Sequence, residues 1–268
     1  MPRLSSRFIV CAAFSAVLIF AVTAAAQRRF FPPGGGRSPR INNIAYDGKF
    51  TFVRVRYNPA PGGNWAGGRA AWTHGFPLAE RNLMRIMKDL SFLDMHEDRV
   101  NVLSLDDPKL FQYPIAYIIE VGWWTMNEKE LQALRNYLLK GGFLIVDDFK
   151  PAGWRGLPGG GWEPFRENVE RLFPGAILYD MNARHQIFHS FFDINKLDEF
   201  PQAYNFGKPV FRGLYEDNDP SKRLLMIVNY NTDISQYWEW SGRGIRPFDD
   251  TNEAYKLGVN YLIYGMTH

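Results

Sequence analysis

Hydrophobic and polar positions switch repeatedly between two periods along the chain, which predicts an α/β fold. Residues 50–57 alternate with a period of two and predict a first strand with one face less buried. Continuous apolar runs predict further strands at 100–104, 115–121, 143–146, 176–179 and 224–230. Apolar residues at helical spacing predict helices entered at Pro77, near Met126 and over 165–173 and 254–264.

The boundaries of the second helix carry the clearest local signals. Thr125 and Glu128 have the spacing of a capping box, so the helix is expected to begin near Met126. Gly141 and Gly142 are suited to the left-handed conformation that ends a helix. A strand should follow directly.

Strand and helix signals of these lengths are typical of right-handed βαβ units. The run at 143–146 does not alternate, so both of its faces should be covered, as in a central parallel strand. The predicted fold is an open, mostly parallel, flavodoxin-like three-layer sandwich with an irregular C-terminal half. Within that half, residues 186–214 predict turns and short helices.

The first 40 residues predict an export signal and a tether. Arg3, Arg7, an apolar run and small residues at 24–26 indicate a signal peptide over 1–26, with an uncleaved membrane anchor as the alternative. Residues 27–40 combine proline, glycine and basic residues and predict a flexible linker. Residues 41–268 are then one α/β domain. We expect an exported, periplasmic or extracellular protein whose membrane contact is limited to an uncleaved signal segment.

The cysteine content and the net charge exclude several kinds of site and partner. Cys11 is the only cysteine and lies in the predicted signal, so a mature chain would have no disulfide, thiolate metal site or cysteine nucleophile. Without Arg3 and Arg7, the 31 basic residues fall to 29 against 28 acidic ones. This balance indicates neither a nucleic-acid partner nor an anionic membrane surface.

Ligands of open α/β sheets bind at the carboxyl ends of the strands. This rule selects the loops after Tyr57, Ser104, Val121 and Val146, and a fifth loop if the strand at 224–230 joins the sheet. The candidate site should therefore be assembled from these loops.

Two consecutive carboxylates, Asp147 and Asp148, end the fourth predicted strand. Consecutive residues of a strand point to opposite faces, so at most one of them should enter a cleft. A two-carboxylate hydrolase would then need a partner such as Asp233 or Glu120. In the alternative, one aspartate caps the next loop and the other binds a basic side chain.

Histidines offer a further candidate chemistry. His185 and His189 are four residues apart, as on one helix face, although a structural role is favoured because apolar residues separate them. His74 precedes a helix in a candidate site loop. One of these histidines with Asp147 or Asp148 would make a mononuclear divalent-metal site. No other cofactor is predicted.

All eight tryptophans lie in or next to predicted loops. They either cap the sheet by packing or line a cleft for a polyhydroxylated ligand such as a glycan. The candidate ligand-binding residues are His74, Trp123, Trp124, Asp147, Asp148, His185, His189 and Trp238. The candidate catalytic residues are Asp147, Asp148, Asp233 and His185.

Four stretches together resemble domain of unknown function 4159, a family similar to the class I glutamine-amidotransferase-like, flavodoxin-type fold. They are FTFVRVRY with WTHGFPLAERNL, LQALRNYLLKGGFLIVDD, RHQIFHSFFDI and LGVNYLIYGMTH. The resemblance implies an α/β sandwich, typically exported or membrane-attached, and no particular reaction. Amidotransferase relatives use a cysteine after the third strand, where this chain has Gly122, Trp123 and Trp124, so glutaminase chemistry is not expected.

Three functions fit these observations. We favour a non-catalytic envelope or periplasmic binding domain with an aromatic and acidic cleft for a glycan or another polar ligand. The first alternative is a metal-assisted or two-carboxylate hydrolase using Asp147 or Asp148 with Asp233 and a histidine. The second is an interaction scaffold for a cell-envelope protein. Convergence of the acids and histidines would favour an enzyme, whereas dispersal and pairing to arginines would oppose it.

Overall fold

The computed structural model describes residues 39–65, 68–150, 153, 156–198, 200, 203 and 207–268, and a seven-stranded sheet organises them. The predicted signal peptide and all but the last two residues of the predicted linker lie outside this part of the chain. The elements named below belong to the unit formed by Pro39–Trp65 and Ala70–His268. In these described segments, no helix is both long enough and apolar enough to cross a bilayer.

The sheet is open and mostly parallel. Its strands are β1 Phe50–Arg56, β2 Met95–Ser104, β3 Ile115–Ile119, β4 Phe143–Asp147, β5 Leu178–Asp180, β6 Val210–Tyr215 and β7 Leu224–Tyr230. Their order is β2-β1-β3-β4-β7-β6-β5. The first five strands in this order pair in parallel, and β6 and β5 pair antiparallel. The predicted fold class is confirmed, and β7 brings the fifth candidate loop to the same sheet edge.

Helices cover both faces of the sheet. They are α1 Leu78–Leu90, α2 Glu128–Leu139, α3 Trp162–Leu172, α4 Ile234–Glu239 and α5 Phe248–Thr267. Apolar residues of α1, α4 and α5 pack in one core with one face of the sheet, and those of α2 and α3 pack in a second core with the other face. All five residues of β4 are buried between the two cores, which explains its unalternating sequence.

The helix α2 begins two residues later than predicted. Its capping box is Asn127 with Glu130: the Asn127 side chain accepts from the Glu130 N–H, and the Glu130 carboxylate accepts from the Asn127 N–H, each over 3.0 Å. The Thr125 hydroxyl instead donates to the Asn58 carbonyl. Both pairs have capping-box spacing, and asparagine is at least as good an N-cap as threonine.

The prediction that β1 has one less buried face was wrong. Residues 51–55 are all buried, including Arg54. β1 lies between β2 and β3 with helices over both faces, so a charged residue in its middle must be paired within the protein.

The C-terminal half contains more regular structure than predicted. All of β6 except Tyr215 lies in the region for which turns and short helices were expected, although a short 3-10 turn does form at Gln186–His189. α4 was not predicted, and α5 is longer than expected. β5 has three residues, and β6 is a strand through its pairing with β5 on one side and β7 on the other, so local sequence carries little information about them.

Candidate functional site

Three neighbouring parallel strands end in the same unusual way. β3, β4 and β7 are followed by Glu120, Asp148 and Asn231, with positive φ of 52°, 61° and 59°. Residues with a side chain rarely adopt this left-handed conformation, and it costs roughly 1–3 kcal/mol at each position. Such strain is typical of functional sites. The left-handed residues turn the chain sharply at the carboxyl edge of the sheet, where Glu120 and Asp148 both contact Lys150.

The loop before α1 brings His74 to this edge. Arg54 of β1 anchors the loop: one guanidinium nitrogen donates to the carbonyls of Trp72 over 3.1 Å and His74 over 3.4 Å. Its Nε donates to Glu80 of α1 over 2.6 Å, and both charged side chains are fully buried. A buried ion pair between β1 and α1 therefore supports the segment that carries His74.

Five charged side chains converge there, and we call them the charged cluster: His74, Glu120, Asp148, Lys150 and Asp233. The His74 Nδ1 atom lies 2.7 Å from Asp148 Oδ2, 3.4 Å from Glu120 Oε1 and 3.9 Å from Asp233 Oδ2. Lys150 Nζ lies 2.6 Å from Asp148 Oδ1 and 2.9 Å from Glu120 Oε1.

His74 is the cluster's most exposed member. Its side chain is 18 % exposed, whereas those of the other four are at most 5 % exposed. The Trp65 ring lies 4.9 Å from the His74 ring, edge to face, and 5.9 Å from Lys150 Nζ. A ligand from solvent would therefore meet His74 and Trp65 first.

The pKa values of the cluster's acids are shifted in opposite directions. Burial alone would raise the pKa of Asp148, but Lys150 and His74 hold it well below its usual range. Burial and the neighbouring Asp148 raise the pKa of Glu120 and of Asp233. Burial and Lys150 oppose protonation of His74, yet Asp148 and Glu120 outweigh them and raise its pKa to about 10. Asp148 is thus the acid that is held in its ionised form.

Asp147 is separated from the cluster and supports α4. Its carboxylate accepts from the backbone N–H groups of Ile234 over 3.2 Å and Ser235 over 3.1 Å, and from the Tyr117 hydroxyl over 2.8 Å. Asn229 donates to it as well, over 3.3 Å. Burial and the neighbouring Asp233 raise the pKa of Asp147 to about 7. The two consecutive aspartates therefore have different partners: backbone amides for Asp147, and a lysine and a histidine for Asp148.

Asp233 serves both α4 and the cluster. Its Oδ1 caps the helix by accepting from the Gln236 N–H over 3.0 Å and the Ser235 hydroxyl over 2.7 Å. Its Oδ2 faces His74. With His74 and Asp148 it forms a set of three potential metal ligands whose ligand atoms all lie within 4.8 Å of one another.

The three tryptophans proposed as ligand-binding residues are buried, with 5 %, 2 % and 1 % exposure for Trp123, Trp124 and Trp238. The chain at Gly63 lies so close to Trp123 that a Cβ there would be 2.8 Å from the Trp123 Cβ. The Trp238 Nε1 donates to the Ala254 carbonyl over 2.9 Å. Packing therefore accounts for much of this burial, although Trp123 and Trp124 also line a cavity of about 440 Å³.

His185 and His189 lie away from the charged cluster. The His185 ring is 5.9 Å from the Tyr264 ring, which is 5.7 Å from that of Phe143, the first residue of β4. This is the amino edge of the sheet, opposite Asp148. His185 Nδ1 accepts from the Ile187 N–H over 3.2 Å, and His189 Nδ1 is 3.0 Å from Asp193. The structure does not bring these two histidines to the other candidate residues.

Lys150 and Arg54 were not among the site residues expected from the sequence. The sequence could have indicated Lys150, because a lysine two residues after paired aspartates at a strand end is a natural counterion. It could have indicated Arg54 too, because Arg54 occupies an inward position of a strand whose neighbours are apolar. Glu120 and Asp233 were considered as partners of the paired aspartates, and the structure places both beside Asp148's partner His74.

Comparisons with known proteins give one family. None of the curated proteins matches this chain. A family model described as Domain of unknown function (DUF4159) matches residues 51–266, a range that includes the whole charged cluster. Similarity to the glutamine-amidotransferase-like fold stays a prediction from the sequence. Since the matched range spans most of the chain, the protein belongs to the DUF4159 family.

Proposed function

We propose that the protein is a hydrolase that acts on a polar substrate at the charged cluster. The observation that supports this most strongly is the convergence of Asp148, Glu120 and Asp233 on one nitrogen of His74. Convergence was the criterion that separates an enzyme from a binding domain. The cluster's acids form ion pairs with a histidine and a lysine, both of which can take part in catalysis, and this also favours an enzyme.

Glu120 has the environment of a general base. Its side chain is 1 % exposed, and its Oε2 atom has no hydrogen-bond partner among the residues that the structure describes. Its Oε1 atom faces Lys150 and His74. A carboxylate with one free oxygen in a water-poor site is suited to take a proton from an attacking water molecule.

Lys150 and His74 supply the complementary positive groups. Two donors beside the base can stabilise the negative charge that develops on the leaving-group oxygen during hydrolysis. Asp148 bonds to both of them, with 2.6 Å to Lys150 and 2.7 Å to His74. We therefore assign Asp148 a positioning role and Glu120 the catalytic one.

A glycan is the substrate class that we favour. The cavity of about 440 Å³ is lined by Trp123 and Trp124, with polar groups from Asn168, Glu167 and Arg171 beside them. Flat rings next to such groups suit a sugar, whose faces are apolar and whose rim is polar. No residue of the charged cluster lines this cavity, but Gly122 does and is two residues from Glu120 in the chain, so the proposal requires a substrate that extends from the cavity to Glu120.

The test is an activity screen of the purified protein against cell-wall glycans and chromogenic glycosides, esters, amides and phosphoesters. General-base catalysis is typically worth about 10²–10⁴-fold, so Glu120→Gln should lower turnover by at least about 100-fold. Asp193→Asn is the matched control, since it removes an exposed carboxylate that also contacts a histidine. No turnover by the folded protein on any of these substrates, or equal turnover in Glu120→Gln, would contradict the proposal.

We also infer that the protein is exported, on the basis of its basic, apolar and small-residue N-terminal segments. Expression in a bacterial host, cell fractionation and N-terminal sequencing test this. A periplasmic or secreted product that begins at Gln27 is expected. A product that keeps Met1 and stays in the membrane fraction would instead identify the segment as an anchor.

A further inference from the structure

The charged cluster has the donor set of a cation site. One imidazole nitrogen from His74 and one carboxylate oxygen each from Asp148 and Asp233 lie within 4.8 Å of one another. Nitrogen and oxygen ligands of a divalent transition metal lie about 2.0–2.2 Å from the ion, so two ligands of one ion are at most about 4.4 Å apart. Small side-chain adjustments would therefore let all three atoms bind the same ion.

Glu120 provides a second and independent observation. Its carboxylate is buried beside the same histidine nitrogen, with Oε1 at 3.4 Å from His74 Nδ1. Its Oε2 atom has no hydrogen-bond partner in the described part of the chain. Burying a carboxylate without a full set of partners is costly, and the positive charge of a cation beside it would offset that cost.

We propose that His74, Asp148 and Asp233 bind a divalent transition-metal ion, with Glu120 beside it. This rests on the proposed function only in that the ion would belong to the same reaction centre. Carboxylates alone suit Mg²⁺ or Ca²⁺, but an imidazole ligand favours transition metals. Mn²⁺ and Zn²⁺ should therefore bind more tightly than Mg²⁺ and Ca²⁺.

Lys150 competes with the ion. Its ammonium group lies 2.6 Å from Asp148 and 2.9 Å from Glu120, so it already neutralises part of the negative charge. Repulsion between this ammonium and a divalent ion weakens binding. Lys150→Met should consequently raise the metal affinity by at least about tenfold.

Metal binding is measured directly on the purified, metal-stripped protein. Calorimetric titration with MnCl₂ and ZnCl₂ should show one ion per chain, and the signal of free Mn²⁺ in electron paramagnetic resonance should fall in parallel. Asp148→Asn should weaken binding by more than about tenfold, because it removes a ligand. Asp193→Asn should leave it unchanged, because its His–Asp pair lies outside the cluster.

His74→Gln is a second ligand variant, which keeps the test valid if Asp148→Asn does not fold; circular dichroism checks folding in each case. The proposal is overturned if neither ion binds, or if His74→Gln and Asp193→Asn bind Mn²⁺ alike. Its failure can be told apart from that of the proposed function. Metal binding without hydrolysis would contradict only the proposed hydrolase function. Hydrolysis that persists in the metal-stripped protein, with no measurable Mn²⁺ or Zn²⁺ binding, would contradict only the proposed metal site.

Discussion

Arg54 and Glu80 form a fully buried ion pair, 2.6 Å from Nε to Oε1, that connects the interior of β1 with the first turn of α1. The same guanidinium donates to the carbonyls of Trp72 and His74. Its Cζ atom also lies over the Tyr117 ring, 4.9 Å from the ring centre. The pair therefore holds the backbone of the loop that carries His74 to the charged cluster.

Removing one partner of this pair should strongly destabilise the protein. Arg54→Met leaves the Glu80 carboxylate buried without its counterion, and breaking a buried ion pair in this way typically costs about 3–5 kcal/mol. Urea unfolding followed by tryptophan fluorescence measures the loss. The double variant Arg54→Met with Glu80→Met should lose less, since no charge remains uncompensated. A double variant as unstable as the single one would show that the pair's charge is not the cause.

Asp148→Asn and Glu120→Gln should differ in their effect on stability. Asp148 bonds to both Lys150 and His74, so its amide variant weakens two charge-assisted contacts and should cost about 3 kcal/mol. Glu120 contacts the same two side chains through Oε1, but burial and Asp148 raise its pKa and its Oε2 atom has no hydrogen-bond partner in the described residues, so relief of the buried charge should offset the lost contacts. A neutral amide there should change the free energy of unfolding by less than about 1 kcal/mol. Asparagine also tolerates the positive φ at position 148. Denaturant titration of both variants measures their free energies of unfolding. Equal losses of stability in the two variants would contradict the assigned roles.

The capping box of α2 can be located by mutation. Asn127→Ala removes the acceptor for the Glu130 N–H and should destabilise the protein by about 1 kcal/mol. Hydrogen exchange of the Glu130 amide should become faster in this variant. Thr125→Ala should leave that exchange rate unchanged, because the threonine hydroxyl bonds to Asn58 outside the helix. Faster exchange in Thr125→Ala would favour the cap expected from the sequence.

His185 should make stability depend on pH. Burial, and then His268, lowers the pKa of His185, and its Nδ1 accepts a backbone hydrogen bond, which requires the neutral ring. Below the ordinary histidine pKa of about 6.5, the unfolded chain binds a proton that the folded protein takes up only at lower pH. Stability is therefore lost as pH falls through about 6.5 towards the folded pKa.

His185→Asn provides the comparison, since asparagine can accept the same hydrogen bond without titrating. Urea unfolding of both proteins at pH 7.5 and pH 5.5 measures the effect. The free energy of unfolding should fall further between these two values in the natural chain than in the variant. Identical falls would show that His185 does not titrate differently in the folded and unfolded states.

Local sequence predicted an element correctly wherever burial leaves a regular apolar pattern in that element. The apolar run of β4 and the apolar spacing of α1 were both recognised, because each reflects burial on a sheet or helix period. β6 and α4 were missed. β6 is a strand through its pairing with β7, and α4 begins where its backbone N–H groups bond to Asp147, far away in sequence, so neither element is recorded by a local pattern.

The sequence by itself determined the α/β class, and it predicted the carboxyl edge of the sheet as the place for a site, with Asp148 and His74 as candidates. Those conclusions follow from periodicity and from residue types. Only the tertiary structure decided which charges meet: it separated Asp147 from Asp148 and placed His185 and His189 at the opposite edge. It also brought Lys150, Glu120 and Asp233 to His74. Such contacts join loops from different strands, and their distances depend on strand order and backbone turns that no local pattern records.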